Sequence, residues 1–335
     1  MTTEDMLVKH ADEETQKFGV NPSERSLPEL LEKGCLIIDK SAGPTSHDVV
    51  DAVKQILRVR KAGHSGTLDP QVTGVLLVGL GKATRLMEYM LESNKEYVAL
   101  LYLHEPVDEQ VIKDTFQAFT GPIKQLPPVV SAVKRQERLR EIYYQDILEI
   151  REDQYVLFRV GCQHGTYIRK LCSDMAEHMG VSGQMKELRR TKAGPLTEDD
   201  GAISLDTLRN LWELHQEADE ERLPPIESEL RCYLRPMEDL LQDFRKVYAR
   251  DSAVDSLSYG SDLAIPGVAR LDSGISMGET VAVMTLRGEL IAMGIAYLSS
   301  DQVMKKQKGA FIKTNKVFMS PGTYPQYWEF TKEEE

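Results

Sequence analysis

The chain has 335 residues, of which 41% are hydrophobic and 28% charged, with a formal net charge of −12. That is enough chain for two domains with a sizeable core, and its longest apolar run is far too short to span a bilayer. Net acidity weighs against a nucleic-acid binder, but the stretches 1–33, 213–229 and 329–335 carry −4, −6 and −3 of it, leaving the rest close to neutral. Cys35, Cys162, Cys172 and Cys232 include no C-x-x-C pair, so they read as reduced intracellular thiols rather than zinc ligands or a redox couple. The N-terminus has neither the basic start nor the apolar core of a signal peptide.

Residues 1–33 are polar and acidic, with Pro22 and Pro28, and read as an extended or partly helical arm. Cys35 to Asp39 reads as a strand and the residues from Lys40 to His47 as a loop. Val49, Val53, Ile56 and Leu57 recur at helical spacing and predict a helix over 48–57, capped by Thr45 or Ser46. The next stretch carries the most information. A glycine-punctuated polar loop, Gly63-His64-Ser65-Gly66-Thr67-Leu68-Asp69-Pro70, feeds an apolar β-branched run from Val75 to Leu80. Gly63 and Gly66 allow positive φ or close backbone approach, and Pro70 holds Asp69 extended. One carboxylate is thus presented on a restrained backbone at the edge of a buried strand, where chemistry is often placed. On the residues alone it reads equally well as a turn in which Asp69 bonds nearby amides. A phosphate-binding loop is excluded, because it needs Gly at position 76 and Ser or Thr at position 83, which hold Leu76 and Ala83.

A strand follows from about Tyr97 to Leu103, then a short helix over 111–119. Gln125 to Arg140 reads as an exposed, proline-containing loop with Lys134, Arg135, Arg138 and Arg140. Paired strands are expected over 142–150 and 155–162, leading into His164-Gly-Thr-Tyr167-Ile-Arg169. An amphipathic helix runs over 168–179, then a basic segment with Lys186, Arg189, Arg190 and Lys192, then a helix from Ser204 to Leu214. The acidic stretch 213–229 reads as a surface insertion. From Lys246 onward, short segments over 256–266, 280–285 and 289–297, with Leu286-Arg-Gly288 as a hairpin connection, read as a small glycine-punctuated β-barrel. The basic clusters, including Arg58, Arg60 and Lys61 and the lysines at 305, 306, 308, 313 and 316, could neutralise phosphates or form solvated faces.

The segment 63–70 with Gly74-Val-Leu-Leu77 resembles the catalytic motif of TruB-type pseudouridine synthases, most closely the archaeal dyskerin homologues that serve as catalytic subunits of box H/ACA ribonucleoproteins. The segments 164–171 and 185–195 resemble later motifs of the family. Tyr259 to Gly267 and Gly278 to Val283 resemble a PUA domain, a module that binds folded RNA. The similarity runs from about Leu36 to Trp328. It implies an α+β fold: a mixed, largely antiparallel central sheet flanked by helices, plus a small β-barrel. The division it implies is an N-terminal arm over 1–33 that partly packs on the barrel, a catalytic domain over 34–244 and a PUA domain over 245–328.

The resemblance also implies roles. Asp69 acts on the target nucleotide and Arg169 pairs with it. Tyr97, Tyr167 and Leu188 form a closed, apolar base pocket. Without the family, Tyr97 reads as a half-buried strand tyrosine. His64 fills the space left by the everted base, and Lys40 lies at the substrate. Ser41 stands where the family usually has Pro and would loosen that loop. Alone, His64 reads as a loop histidine bonded to backbone and Lys40 as a surface lysine. Lys134, Arg135, Arg138, Arg140, Arg189 and Arg190 would grip RNA. No metal or organic cofactor is called for. The implied partners are H/ACA guide RNA, ribosomal RNA, tRNA and small ribonucleoprotein subunits, in the cytoplasm and away from membranes.

Overall fold

A computed structural model describes residues 6–11, 18–126 and 136–326. The chain divides into two units, one of Cys35–Arg235 and one that joins Met1–Gly34 to Pro236–Glu335. The first unit is built on a mixed sheet. Its strands lie in the order Gly34–Lys40, Thr73–Leu80, Gly183–Ala193, Lys95–Leu103, Tyr155–Cys162, Arg138–Arg151 and Gly121–Gln125. Every neighbouring pair in that order is antiparallel except Thr73–Leu80 with Gly183–Ala193, which run parallel. The short strand Ala62–His64 pairs with the far end of Thr73–Leu80, on the edge opposite Gly34–Lys40.

Thr73–Leu80 is almost wholly buried, as an uninterrupted apolar run should be when both its faces are covered. Helix Ile168–His178 packs on Gly183–Ala193 and Lys95–Leu103, and helix Glu109–Ala118 packs on Arg138–Arg151 and against Ile168–His178. Leu101, Phe158, Val160, Leu171 and Met175 are buried where these elements meet. Each such side chain contributes roughly 1.5–3 kcal/mol.

Thr45 caps helix Ser46–Leu57 through a reciprocal pair with Asp48, at 3.1 and 2.8 Å. Parts of the sequence reading change in the structure. Arg138 and Arg140 are not in a loop. Strand Arg138–Arg151 begins earlier than expected because it forms a hairpin ladder with Gly121–Gln125, in which Arg138 faces Gln125. Lys134 and Arg135 lie outside the described residues. The acidic stretch 213–229 lies at the surface, as read from the sequence, and much of it is helical. It forms the end of helix Leu205–Glu217 and most of helix Leu223–Tyr233, which pack on each other. Acidic composition described its solvent face, whereas Leu208, Leu211, Trp212 and Leu230 supply a buried stripe.

In the second unit the strands lie in the order Met6–Val8, Val268–Asp272, Lys246–Ala249, Thr280–Met284, Leu290–Ala296, Ala310–Val317 and Leu263–Ala264. Met6–Val8 is an edge strand of this sheet. Residues 256–258 end helix Asp251–Ser258 rather than start a strand. Arg25 is 2% exposed, and its guanidinium donates to both carboxylate oxygens of Glu238 at 2.6 and 2.8 Å. Residues 236–244 belong to this unit.

The site depends on close strand packing at Gly74. Its φ is +97°, and a Cβ there would lie 2.2 Å from the carbonyl oxygen of Arg190 on the parallel neighbour. Gly66, with φ +128°, supplies one of the two left-handed positions read from the sequence. Gly63 does not, and a Cβ on it would meet only the Thr84 side chain at 3.8 Å. Gly74→Ala is therefore expected to destabilise the protein by at least about 2 kcal/mol, and Gly63→Ala by less than about 1 kcal/mol. Thermal melts of the two variants check this; equal melting temperatures would contradict it.

Candidate active site

Asp69 sits in the turn before strand Thr73–Leu80, and that turn is held from several sides. Ser46, fully buried because Thr45 takes the capping role, accepts from the Leu68 N–H at 2.8 Å and donates to the Leu68 carbonyl at 3.3 Å. The Lys40 ammonium donates to the carbonyls of Ser41, Pro70 and Val72, each at 2.9 Å. Arg190 donates through Nε to the Val75 carbonyl at 2.7 Å and through Nη2 to the Gly66 carbonyl at 3.3 Å. The Gly43 N–H adds a bond to the Pro70 carbonyl at 2.9 Å. Buried carbonyls need such partners, and here the partners are side chains that fix the backbone around one carboxylate.

Arg169 meets that carboxylate from 100 residues away. Its Nη2 lies 2.6 Å from Asp69 Oδ2. Arg169 is in the first turn of helix Ile168–His178, whose N-cap is Tyr167. Gln125, 2% exposed, locks that cap. Its amide accepts from the Tyr167 N–H at 2.9 Å and donates to the Tyr167 carbonyl at 3.1 Å. Arg140 Nε holds the Gly165 carbonyl of the same turn at 3.2 Å. The ion pair itself is open to solvent: the Asp69 and Arg169 side chains are 58% and 64% exposed. These side chains alone do not make the dry slot that the resemblance implies, so the pair gains its full strength only once water is displaced.

Tyr97 lies next to this turn on strand Lys95–Leu103, opposite Arg190 across a β-bulge between Glu96 and Tyr97. Burial raises the pKa of its hydroxyl. Leu188 faces Ala99 on the adjoining strand, and both Tyr97 and Leu188 pack on the core below. His64 is half-buried; its Nδ1 accepts from the Gly66 N–H at 3.2 Å, which leaves the proton on Nε2. Burial first, then His47 and Arg190, push its pKa down. The His47 and His64 rings meet edge to face at 5.2 Å.

Three of the sequence expectations need correction. Lys40 is neither loosened by Ser41 nor presented to a ligand; it is 1% exposed and spends its three donors on loop carbonyls. Arg190 is 1% exposed and faces inward, so it offers nothing to a phosphate. Arg189 is partly exposed, but its guanidinium is engaged by Asp39 at 2.9 Å and Glu198 at 2.6 Å. Neighbours on a strand point to opposite faces, so one basic run holds a buried cation beside an ion-paired one. Ser46 and Gln125 were missed as site residues, since only their burial distinguishes them from ordinary polar positions.

Comparison with known proteins agrees with this geometry. The profile of the TruB family pseudouridylate synthase N-terminal domain matches residues 54–168, and that of the tRNA pseudouridylate synthase B C-terminal domain matches 169–242. A PUA domain profile matches 245–318 and a DKCLD domain profile matches 1–50. A probable tRNA pseudouridine synthase B of Methanopyrus kandleri is 44% identical, covering 97% of this chain and 94% of its own length. That of Methanosarcina barkeri is 46% identical, covering 95% and 91%. Among solved structures, the matching chain of an H/ACA RNP bound to a substrate RNA containing 2′-deoxyuridine has a TM-score of 0.88 and 41% identity, over 96% of this chain and 97% of that one. A chain of a Cbf5–Nop10–Gar1 complex has a TM-score of 0.89 and 43% identity, over 96% of each. Similarity of this extent, with the profiles lying in order along the chain, makes it a member of the TruB family of pseudouridylate synthases that carries a C-terminal PUA domain.

Proposed function

We propose that this chain isomerises selected uridines in RNA to pseudouridine, with Asp69 as the catalytic residue. The observation that carries this reading is the Arg169–Asp69 pair at 2.6 Å on a turn fixed by Ser46, Lys40 and Arg190. The reaction detaches uracil from ribose C1′, turns it and rejoins it through C5. Asp69 either attacks C1′ or removes a sugar proton, and in both routes it must be ionised and aimed. A charge-assisted bond from Arg169 does both.

Tyr97, Tyr167 and Leu188 would line the pocket that keeps the detached base from water, and His64 would occupy the space the base vacates in the RNA. Eversion of the uridine costs a few kcal/mol, offset by contacts to the RNA around it. Arg138 and Arg140 stand on the hairpin strand beside the turn that presents Tyr167, and with Lys134 and Arg135 would engage phosphates.

Two kinds of relative support two kinds of substrate. The sequence relatives are tRNA pseudouridine synthases by name, and the structural relatives come from an H/ACA RNP and from a Cbf5–Nop10–Gar1 complex. We assign guide-directed modification of ribosomal RNA, with an H/ACA RNA and small protein subunits as partners, and stand-alone action on the T-arm uridine of tRNA. The setting is the cytoplasm, where the RNA of an archaeal cell is found. A scaffold that only binds RNA would need neither the Arg169–Asp69 pair nor the clamp on its turn.

Asp69→Asn keeps the shape and removes the charge. It is expected to abolish tritium release from C5-labelled uridine in RNA while RNA affinity stays within about threefold of wild type. Full activity in that variant would refute the assignment. Arg169→Ala is expected to slow single-turnover conversion by about ten- to a hundredfold, the worth of one charge-assisted bond, with little change in binding. An equal loss in rate and affinity would make Arg169 a phosphate contact instead.

A further inference from the structure

The ladder between strands Lys95–Leu103 and Gly183–Ala193 is broken beside Tyr97. Glu96 lies opposite Lys192 and Tyr97 opposite Arg190, so Thr191 is an extra residue with no ladder partner on that strand. A bulge of this kind bends the strand and re-aims the residues beside it. In an unbroken ladder Tyr97 would face Thr191, and Val98 would face Arg190. Because a one-residue slip moves each side chain to the other face, the bulge decides which residues of this strand turn inward. It also sets the row in which Tyr97, Arg190 and Gly74 lie side by side on three neighbouring strands, next to the Asp69 turn.

An extra residue can sit at any point along a ladder unless a side chain pins it. Glu96 does so here. Its Oε1 accepts from the hydroxyl of Thr191, which is buried, at 2.6 Å, and its Oε2 accepts from the Tyr144 hydroxyl at 2.5 Å. Tyr144 reaches across from two strands away. It pairs with Gly161, which in turn pairs with Glu96. A Cβ on Gly161 would lie 2.3 Å from the Tyr144 ring, so any side chain there would push the ring off Glu96. Tyr144, Gly161, Glu96 and Thr191 thus form one row over four strands.

Among the described residues Glu96 has no ion-pair partner; both its oxygens are spent on hydroxyls, in the short bonds that a charged acceptor makes. Burial, then the bond to Glu96, raises the Tyr144 pKa, so that hydroxyl keeps its proton and donates it. Glu96 and Tyr97 are neighbours on a strand and take opposite faces, so Glu96 acts on the site from behind the sheet.

We propose that Glu96 is a positioning residue for the isomerisation: by bonding to the bulged Thr191 and to Tyr144, it fixes the register that aims Tyr97 at the target base. The inference rests on the isomerase reading and on the place of Tyr97 in it. Displacing a group at the site by about an ångström is enough to be felt in the rate, even when the cause lies outside the site.

The test uses the full chain with its RNA in single-turnover assays at saturating enzyme, where the rate constant does not depend on the folded fraction. Glu96→Ala is expected to slow conversion of uridine by about tenfold or more, with RNA affinity within about threefold of wild type. Thr191→Val keeps the branched shape and loses the hydroxyl. It should show the same split between rate and affinity, and it serves if Glu96→Ala does not fold. Glu96→Gln should recover the rate to within about threefold of wild type, because an amide can accept from Tyr144 and donate to Thr191. A residue that only stabilised the fold would lower the melting temperature and leave the rate at saturation unchanged. That result in Glu96→Ala and Thr191→Val, or a Glu96→Gln rate as low as that of Glu96→Ala, would overturn the inference while leaving the isomerase reading intact. A wild-type chain that leaves uridine unconverted would overturn both.

Discussion

Arg169 and Asp69 come from opposite ends of the catalytic unit, and their contact sets the geometry on which everything else relies. One partner starts a helix, the other opens a turn, and each is held by its own set of buried polar groups. Ser46, Lys40 and Arg190 fix the turn. Gln125 and Arg140 fix the helix start. The pair adds little to stability, because both side chains are more than half exposed. Its value is orientation. A carboxylate free to rotate would spend most of its time aimed elsewhere, and effective concentration at a reacting atom is lost with every such degree of freedom.

The polar economy of the catalytic unit follows from that arrangement. Backbone carbonyls at Gly66, Pro70, Val72 and Val75 point inward because the turn must present Asp69 outward. Two long basic side chains, Lys40 and Arg190, answer them where waters could have done so. Side chains are slower to rearrange than waters, so the turn is rigid. The cost is buried positive charge. A single choice of backbone direction thus links the fold at Gly74 to the burial of Arg190.

Much of this was legible in the sequence where it is local. The Gly63–Pro70 loop, the Tyr167–Arg169 start of a helix and the run Val75–Leu80 are contiguous, and each carries its structural consequence in neighbouring residues. Arg189 and Arg190 show where reading stops. They look alike in sequence, yet a bulge at Tyr97 and a parallel neighbour at Gly74 decide which one turns inward. Lys40 read as a surface lysine because nothing near it in sequence reveals the carbonyls of Pro70 and Val72 thirty residues on. Acidic residues between 213 and 229 masked a helical hairpin whose apolar stripe is sparse but sufficient. Gln125 is legible only once Tyr167 is beside it.

The account stands or falls on whether the chain makes a new carbon–carbon bond at a uridine. The most direct measurement is nucleoside chromatography of RNA digested after incubation with the purified chain, once with a tRNA transcript alone and once with a guide RNA and small subunits on a ribosomal target. The account predicts a pseudouridine peak, with loss of one uridine at one position in each RNA. RNA that is bound in both settings and returned with every uridine unchanged would contradict it.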